Sequence, residues 1–166
     1  MARMRMLFTI AAVLGGAPPV SAAPLTTPMA SLSYFIGAWA CAGVFPSSGK
    51  TIASTMRYES DLRGDALLKH HADAPPNSYL ALEAWGYDSH AKRFNAVVLD
   101  NFGGARRFSS QGWDQKELVW ASEPEVQPAQ RFVYTRLSER SYRIDWDVSR
   151  KDGSFVVGDT LTCEKR

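Results

Sequence analysis

Ten short runs of strand-forming residues follow one another along this chain, at roughly 37–45, 51–60, 64–73, 77–87, 92–101, 104–112, 116–122, 129–138, 140–149 and 154–165. Turn residues separate most of them: Arg63-Gly64-Asp65, Asn101 through Gly104, and Lys151-Asp152-Gly153. Many short hairpin-linked strands leave two architectures, a β-sandwich or an up-and-down barrel. The clearest alternation sets Tyr142, Ile144, Trp146 and Val148 against Arg143, Asp145 and Asp147, one apolar face and one charged. Phe155, Val157, Leu161 and Cys163 share a phase in the last run, as Trp39, Cys41, Gly43 and Phe45 do in the first. Both cysteines therefore fall on the phase expected to point inward. Before the first run, Pro28 sits at a helix-start position ahead of Met29 to Ile36, which reads as a short helix.

The N-terminus predicts the compartment. Arg3 and Arg5 form a positive n-region, Leu7 to Leu14 a short apolar core, and Val20-Ser21-Ala22 offers small residues for cleavage. The expected signal peptide is 1–22, and 23–166 forms one domain. The apolar run is too short to span a bilayer, and no cysteine follows it to carry a lipid. No stable membrane anchor is expected. Removing Arg3 and Arg5 takes 19 basic residues to 17 against 17 acidic ones, so the formal charge falls from +2 to zero. A neutral surface argues against nucleic acid, which calls for clustered basic charge.

Cys41 and Cys163 are the chain's two cysteines. Export to the periplasm or beyond favours their oxidation, and neither lies in a CxxC motif. Pairing closes a loop that the chain-entropy picture values at about 4–5 kcal/mol. An even strand number lets the first and last strands pair antiparallel, which would put Cys41–Cys163 across the seam of a barrel. A sandwich could bring them together too, and free buried thiols are the plainer alternative.

Gly37-Ala38-Trp39, entering the first strand after a short helix, resembles the GxW signature of the calycins, the lipocalin and fatty-acid-binding-protein group. That resemblance implies a barrel whose Trp packs at the closed end beneath a basic residue of the last strand, here Lys165 or Arg166. The mature chain also resembles an uncharacterised family of bacterial secreted proteins with calycin-like barrels. The shared stretches are Leu32 to Trp39, Trp85-Gly86-Tyr87-Asp88, Val98-Leu99-Asp100 and Cys163-Glu164-Lys165-Arg166. Nitrobindin-type relatives hold haem through a histidine near the C-terminus. The last histidine here is His90, so that route to haem is not carried over. No cofactor is expected.

Candidate binding residues come from the strand phases. His70 and His71 are adjacent and should face opposite sides of the sheet, so they cannot share a metal ion. No metal site is expected. Leu67, Lys69 and His71 read as an inward phase, which nominates His71. Glu83 shares a face with Tyr79, Ala81 and Trp85; inward, it could act as acid or base or hold a polar group. The opposite phase, Leu80, Leu82 and Ala84, is more apolar and is the expected core face, leaving Glu83 solvated. Asp100, before Asn101-Phe102-Gly103-Gly104, reads as a turn-capping carboxylate. Of Arg106 and Arg107 one should face the lumen, and Arg107 is nominated to clamp a ligand carboxylate. Trp120, Tyr134 and Trp146 complete the set as aromatic lining, although aromatics equally fill cores.

Catalytic signatures such as G-x-S-x-G, H-E-x-x-H, a P-loop or a dinucleotide fingerprint do not occur. The chain reads as an exported all-β protein, a calycin-like antiparallel barrel of about ten strands that binds a small, largely apolar ligand in its lumen. Two rivals stand beside that reading. One is an isomerase- or hydrolase-type enzyme at the barrel mouth, using Glu83, His71 or Asp100. The other is a filled barrel that works through its outer surface.

Overall fold

A computed structural model describes residues 23–166; the expected signal peptide, 1–22, lies outside the described residues. A 3₁₀ segment, Met29–Phe35, leads into β1 (Gly37–Phe45), β2 (Lys50–Asp61), β3 (Ala66–Asp73), β4 (Leu80–Asp88) and β5 (Arg93–Asp100). There follow β6 (Ala105–Ser110), β7 (Trp113–Asp114), β8 (Glu117–Ser122), β9 (Gln130–Arg136), β10 (Ser141–Ser149) and β11 (Phe155–Lys165). Consecutive strands pair antiparallel, except that β6 and β7 do not pair, and β1 pairs with β11. A further pairing of β6 with β8 closes the ring, so the ten long strands make a barrel. The ten runs read from the sequence are these strands. The two-residue β7, tucked beside β8 after Gly112, was not legible as a strand.

The ends of the chain meet as expected. Trp39 to Val44 pair with Lys165 to Thr160, and Cys41 stands directly opposite Cys163, to which it is disulfide-bonded. The thin place in the wall lies elsewhere. Between β6 and β8 the ladder holds only Phe108↔Ser122 and Ser109↔Ala121.

Inward residues divide the lumen into two halves. At one end the 3₁₀ segment pushes Met29, Leu32 and Phe35 into the barrel, each at most 1% exposed. The Phe35 ring sits among Tyr58, Trp85, Trp113, Tyr134 and Tyr142, with centroids 5.3–5.5 Å away. Edge-to-face and stacked aromatic packing of this kind fills the volume and excludes water. Trp39 donates from Nε1 to the Phe35 carbonyl at 2.7 Å. Lys165 Nζ stands 5.3 Å from the Trp39 ring centroid, a cation–π contact at the closed end. This is the closed-end arrangement that the GxW resemblance implies. Gly37 has φ +119°, a conformation that side-chain-bearing residues rarely adopt, and Lys165 Cε would lie 3.2 Å from any added Cβ.

Two strand phases differ from the sequence reading. On β4 the buried residues are Ala81, Glu83 and Trp85, while Leu80 is 51% and Leu82 38% exposed. The apolar phase faces out because the register sets Glu83 directly across from inward Lys69, where the two neutralise each other. On β11 the register slips by one residue at Gly158, between Trp146↔Asp159 and Asp147↔Val157. The slip leaves Phe155 and Val157 on the surface, 38% and 37% exposed, and out of phase with Leu161 and Cys163.

Candidate functional site

A layer of polar groups caps the aromatic plug. Lys69 on β3 donates to Glu83 Oε1 at 2.7 Å and to the Tyr134 hydroxyl at 3.0 Å. Trp85 Nε1 donates to the other carboxylate oxygen of Glu83 at 3.0 Å. The side chains of Lys69 and Glu83 are 2% and 6% exposed, so this is a buried, hydrogen-bonded ion pair. Burial holds the Tyr134 hydroxyl well above its ordinary pKa, so it stays protonated.

Above that floor the lumen is open. A cavity of about 300 Å³ reaches from Lys69 and Glu83 to the rim at Phe102. Its walls are mostly apolar: Phe45, Ile52, Met56, Phe132, Ile144, Trp146 and Leu161. The volume lies at the lower end of pockets that enclose small molecules, roughly 300–1,000 Å³. Gly158 shapes this wall, since a Cβ there would come within 2.5 Å of the Trp146 ring.

Two polar clusters face the cavity. At the rim, Arg106 donates to Asp100 Oδ2 at 2.9 Å, to the Tyr79 hydroxyl at 3.0 Å and to Gln130 Oε1 at 2.8 Å. Asp100 also caps its turn, as the sequence suggests, by accepting from the Phe102 and Gly104 amides through Oδ1. Burial pushes the Tyr79 hydroxyl up to about 12, although Arg106 opposes the rise. On β3, His71 Nε2 lies 3.0 Å from Asp73 Oδ1, which also accepts from Ser54 Oγ at 2.6 Å. Burial lowers the His71 pKa, against the pull of the Asp73 hydrogen bond, so its neutral form prevails at pH 7. Burial opposes ionisation of Asp73, but the His71 and Ser54 hydrogen bonds outweigh it and hold its pKa below the usual range.

Asp159 completes the lining from β11. Its carboxylate has no hydrogen-bond partner among the described residues, and burial followed by repulsion from Asp73 raises its pKa to about 7. Among those residues, no group of three or more His, Cys, Asp or Glu side chains could hold a metal ion.

No protein-family model matches the chain, and no curated protein matches it.

The nominated residues fall into three places. His71, Glu83 and Trp146 line the cavity, with His70 exposed on the opposite face. Trp120 and Tyr134, 2% and 1% exposed, belong to the plug beneath it, with Trp120 packed 4.9 Å from Trp85. Arg107 is corrected: it lies exposed on the outer face, and its neighbour Arg106 is the inward one. Strand alternation allows one arginine of the two inside, and buried Phe108 fixes the phase to Arg106. Sequence reasoning missed Asp73, Tyr79 and Asp159 as lining residues. Asp73 shares the phase of Lys69 and His71 and could have been found by extending it. Asp159 shares the phase of Leu161 and Cys163 and could have been found in the same way.

Proposed function

We propose that this chain is exported and that its barrel binds a small, largely apolar molecule in the open half of the lumen. The observation that carries the reading is the cavity of about 300 Å³, walled by aliphatic and aromatic side chains in a barrel whose other half is packed solid. A barrel needing only stability gains from filling both halves, since each void forgoes packing energy. The filled-barrel rival loses ground for that reason. The disulfide between Cys41 and Cys163 supports export, because such bonds persist in oxidising compartments.

Native mass spectrometry of protein recovered from its own periplasm or medium tests this. A reproducible adduct of one small molecule is expected, and it should vanish in Ile144→Trp, which fills the cavity. Bare protein in every preparation would count against carriage.

A second reading is favoured by one observation. His71 and Asp73 lie within hydrogen-bond reach beside a partnerless carboxylate, an arrangement that could move a proton. If the barrel is an isomerase or hydrolase, turnover of its bound molecule should stop in His71→Gln while binding persists. Binding without turnover in the wild type leaves the carrier reading standing.

A further inference from the structure

The charges of the open lumen do not balance. Lys69 is committed to Glu83 and Tyr134, and Arg106 to Asp100, Tyr79 and Gln130. The Arg106 Nε is buried and has no partner, while the guanidinium charge is met by Asp100. Against these two cations stand four carboxylates, Glu83, Asp100, Asp73 and Asp159. Two carboxylates therefore remain without a cation.

Most of the unfilled hydrogen-bonding positions along the cavity are acceptors. The Asp73 side chain is 4% exposed, and both of its bonds fall on Oδ1, leaving Oδ2 without a partner among the described residues. Asp159 has none on either oxygen. With Asp73 ionised, His71 Nε2 carries the proton and Nδ1 is left an acceptor. Tyr79, which accepts from Arg106, keeps a hydroxyl hydrogen, but every ionised group awaiting a partner is an anion. A ligand carboxylate would bring a third negative charge into a low-dielectric space, where an unpaired charge is costly.

We propose that the lumen takes an organic cation: a small primary or secondary ammonium ion, its N–H groups received by Asp159 and Asp73 Oδ2, its apolar body against Ile52, Phe132, Ile144 and Trp146. This rests on the ligand-binding reading above and replaces the carboxylate clamp expected of Arg107. Charge-assisted hydrogen bonds to two carboxylates are the strong kind, and the aromatic wall adds favourable cation–π surface. Around Asp159 stand Lys69, His71 and Asp73 of β3, Glu83 of β4, the Asp100–Arg106 pair of β5 and β6, and Asp145 of β10. Of these, the Asp73 and Asp145 charges resist ionisation of Asp159 while Lys69 favours it. A bound ammonium would relieve the resistance. Affinity for an amine should then rise as pH climbs from 6 to 8, over which an alkylammonium, like the Lys side chain, keeps its proton.

Three probes of one shape decide the matter: 2-phenylethylammonium, 2-phenylethanol and 3-phenylpropionate, each titrated calorimetrically into the disulfide-bonded protein. At pH 7.5 the amine should bind about tenfold or more tighter than the alcohol, and the carboxylate weakest. Asp159→Asn should bring amine and alcohol to within about threefold of each other, chiefly by weakening the amine. Should that variant not fold, the wild-type pH series serves: the amine strengthens toward pH 8 and the alcohol stays flat. Equal binding of amine and alcohol would overturn the cation inference and leave the apolar-ligand reading intact. A preference for the carboxylate would also overturn it. Failure of all three probes to bind would remove both readings.

Discussion

Lys69 and Glu83 show what a single residue contributes here. Each is buried, and each satisfies the other together with Tyr134 and Trp85. Lys69→Met alone should cost about 3–5 kcal/mol in urea unfolding, because it strands a buried carboxylate. Lys69→Met with Glu83→Gln should recover most of that loss. Asp159 makes a prediction of opposite sense. Its pKa lies near 7 folded against 3.8 ordinarily, so between those values the folded state holds a proton that the unfolded chain has lost. This group therefore favours folding most at low pH and opposes it increasingly as pH rises to 7. Asp159→Asn should flatten that slope and stabilise the protein at pH 8 by on the order of 1–3 kcal/mol. Denaturation at pH 5 and 8 checks it, and an unchanged slope would remove the carboxylate from the lumen. At this scale the sequence was half legible. The inward phase of Lys69 and His71 was the one nominated, but the pattern left it open, because Leu67 and Leu68 put one leucine on each face. That of Glu83 could not be read, because Leu80, Leu82, Val97 and Leu99 place apolar surface on the outside of β4 and β5, 38–51% exposed.

At the scale of elements, the β1–β11 ladder and its disulfide hold the chain's two ends in register. Cys41→Ser with Cys163→Ser should lower stability by about 2–5 kcal/mol. The fold should survive, since the ladder around the pair remains. The thin β6–β8 joint is the opposite case. With only two residue pairs across it, its amides should exchange with solvent sooner than those of β1 and β11. Strand existence was legible because Gly, Asn and Asp punctuate runs of strand formers. The two-residue β7 and the slip at Gly158 were not. Both depend on how neighbouring strands pair, which periodicity within one strand does not report. Gly158→Val should drive Trp146 into the cavity, weakening ligand binding more than stability.

The whole molecule is a barrel divided between a filled end and an open one. The sequence pointed to closure through the strand count and the inward phase of both cysteines. It could not say how full the lumen was, because Trp85, Trp120 and Trp146 look alike in a strand pattern. Two of them sit in the plug and one lines the cavity. What separates them is depth along the barrel axis, set by the 3₁₀ segment that carries Phe35 into one end and leaves the other unplugged. Calorimetric titration of 2-phenylethanol into the wild type and Ile144→Trp tests this division most directly. Saturable one-to-one binding to the wild type and at least about tenfold weaker binding to the filled variant are expected. Equal affinity for the two would place the ligand outside the lumen and contradict the division.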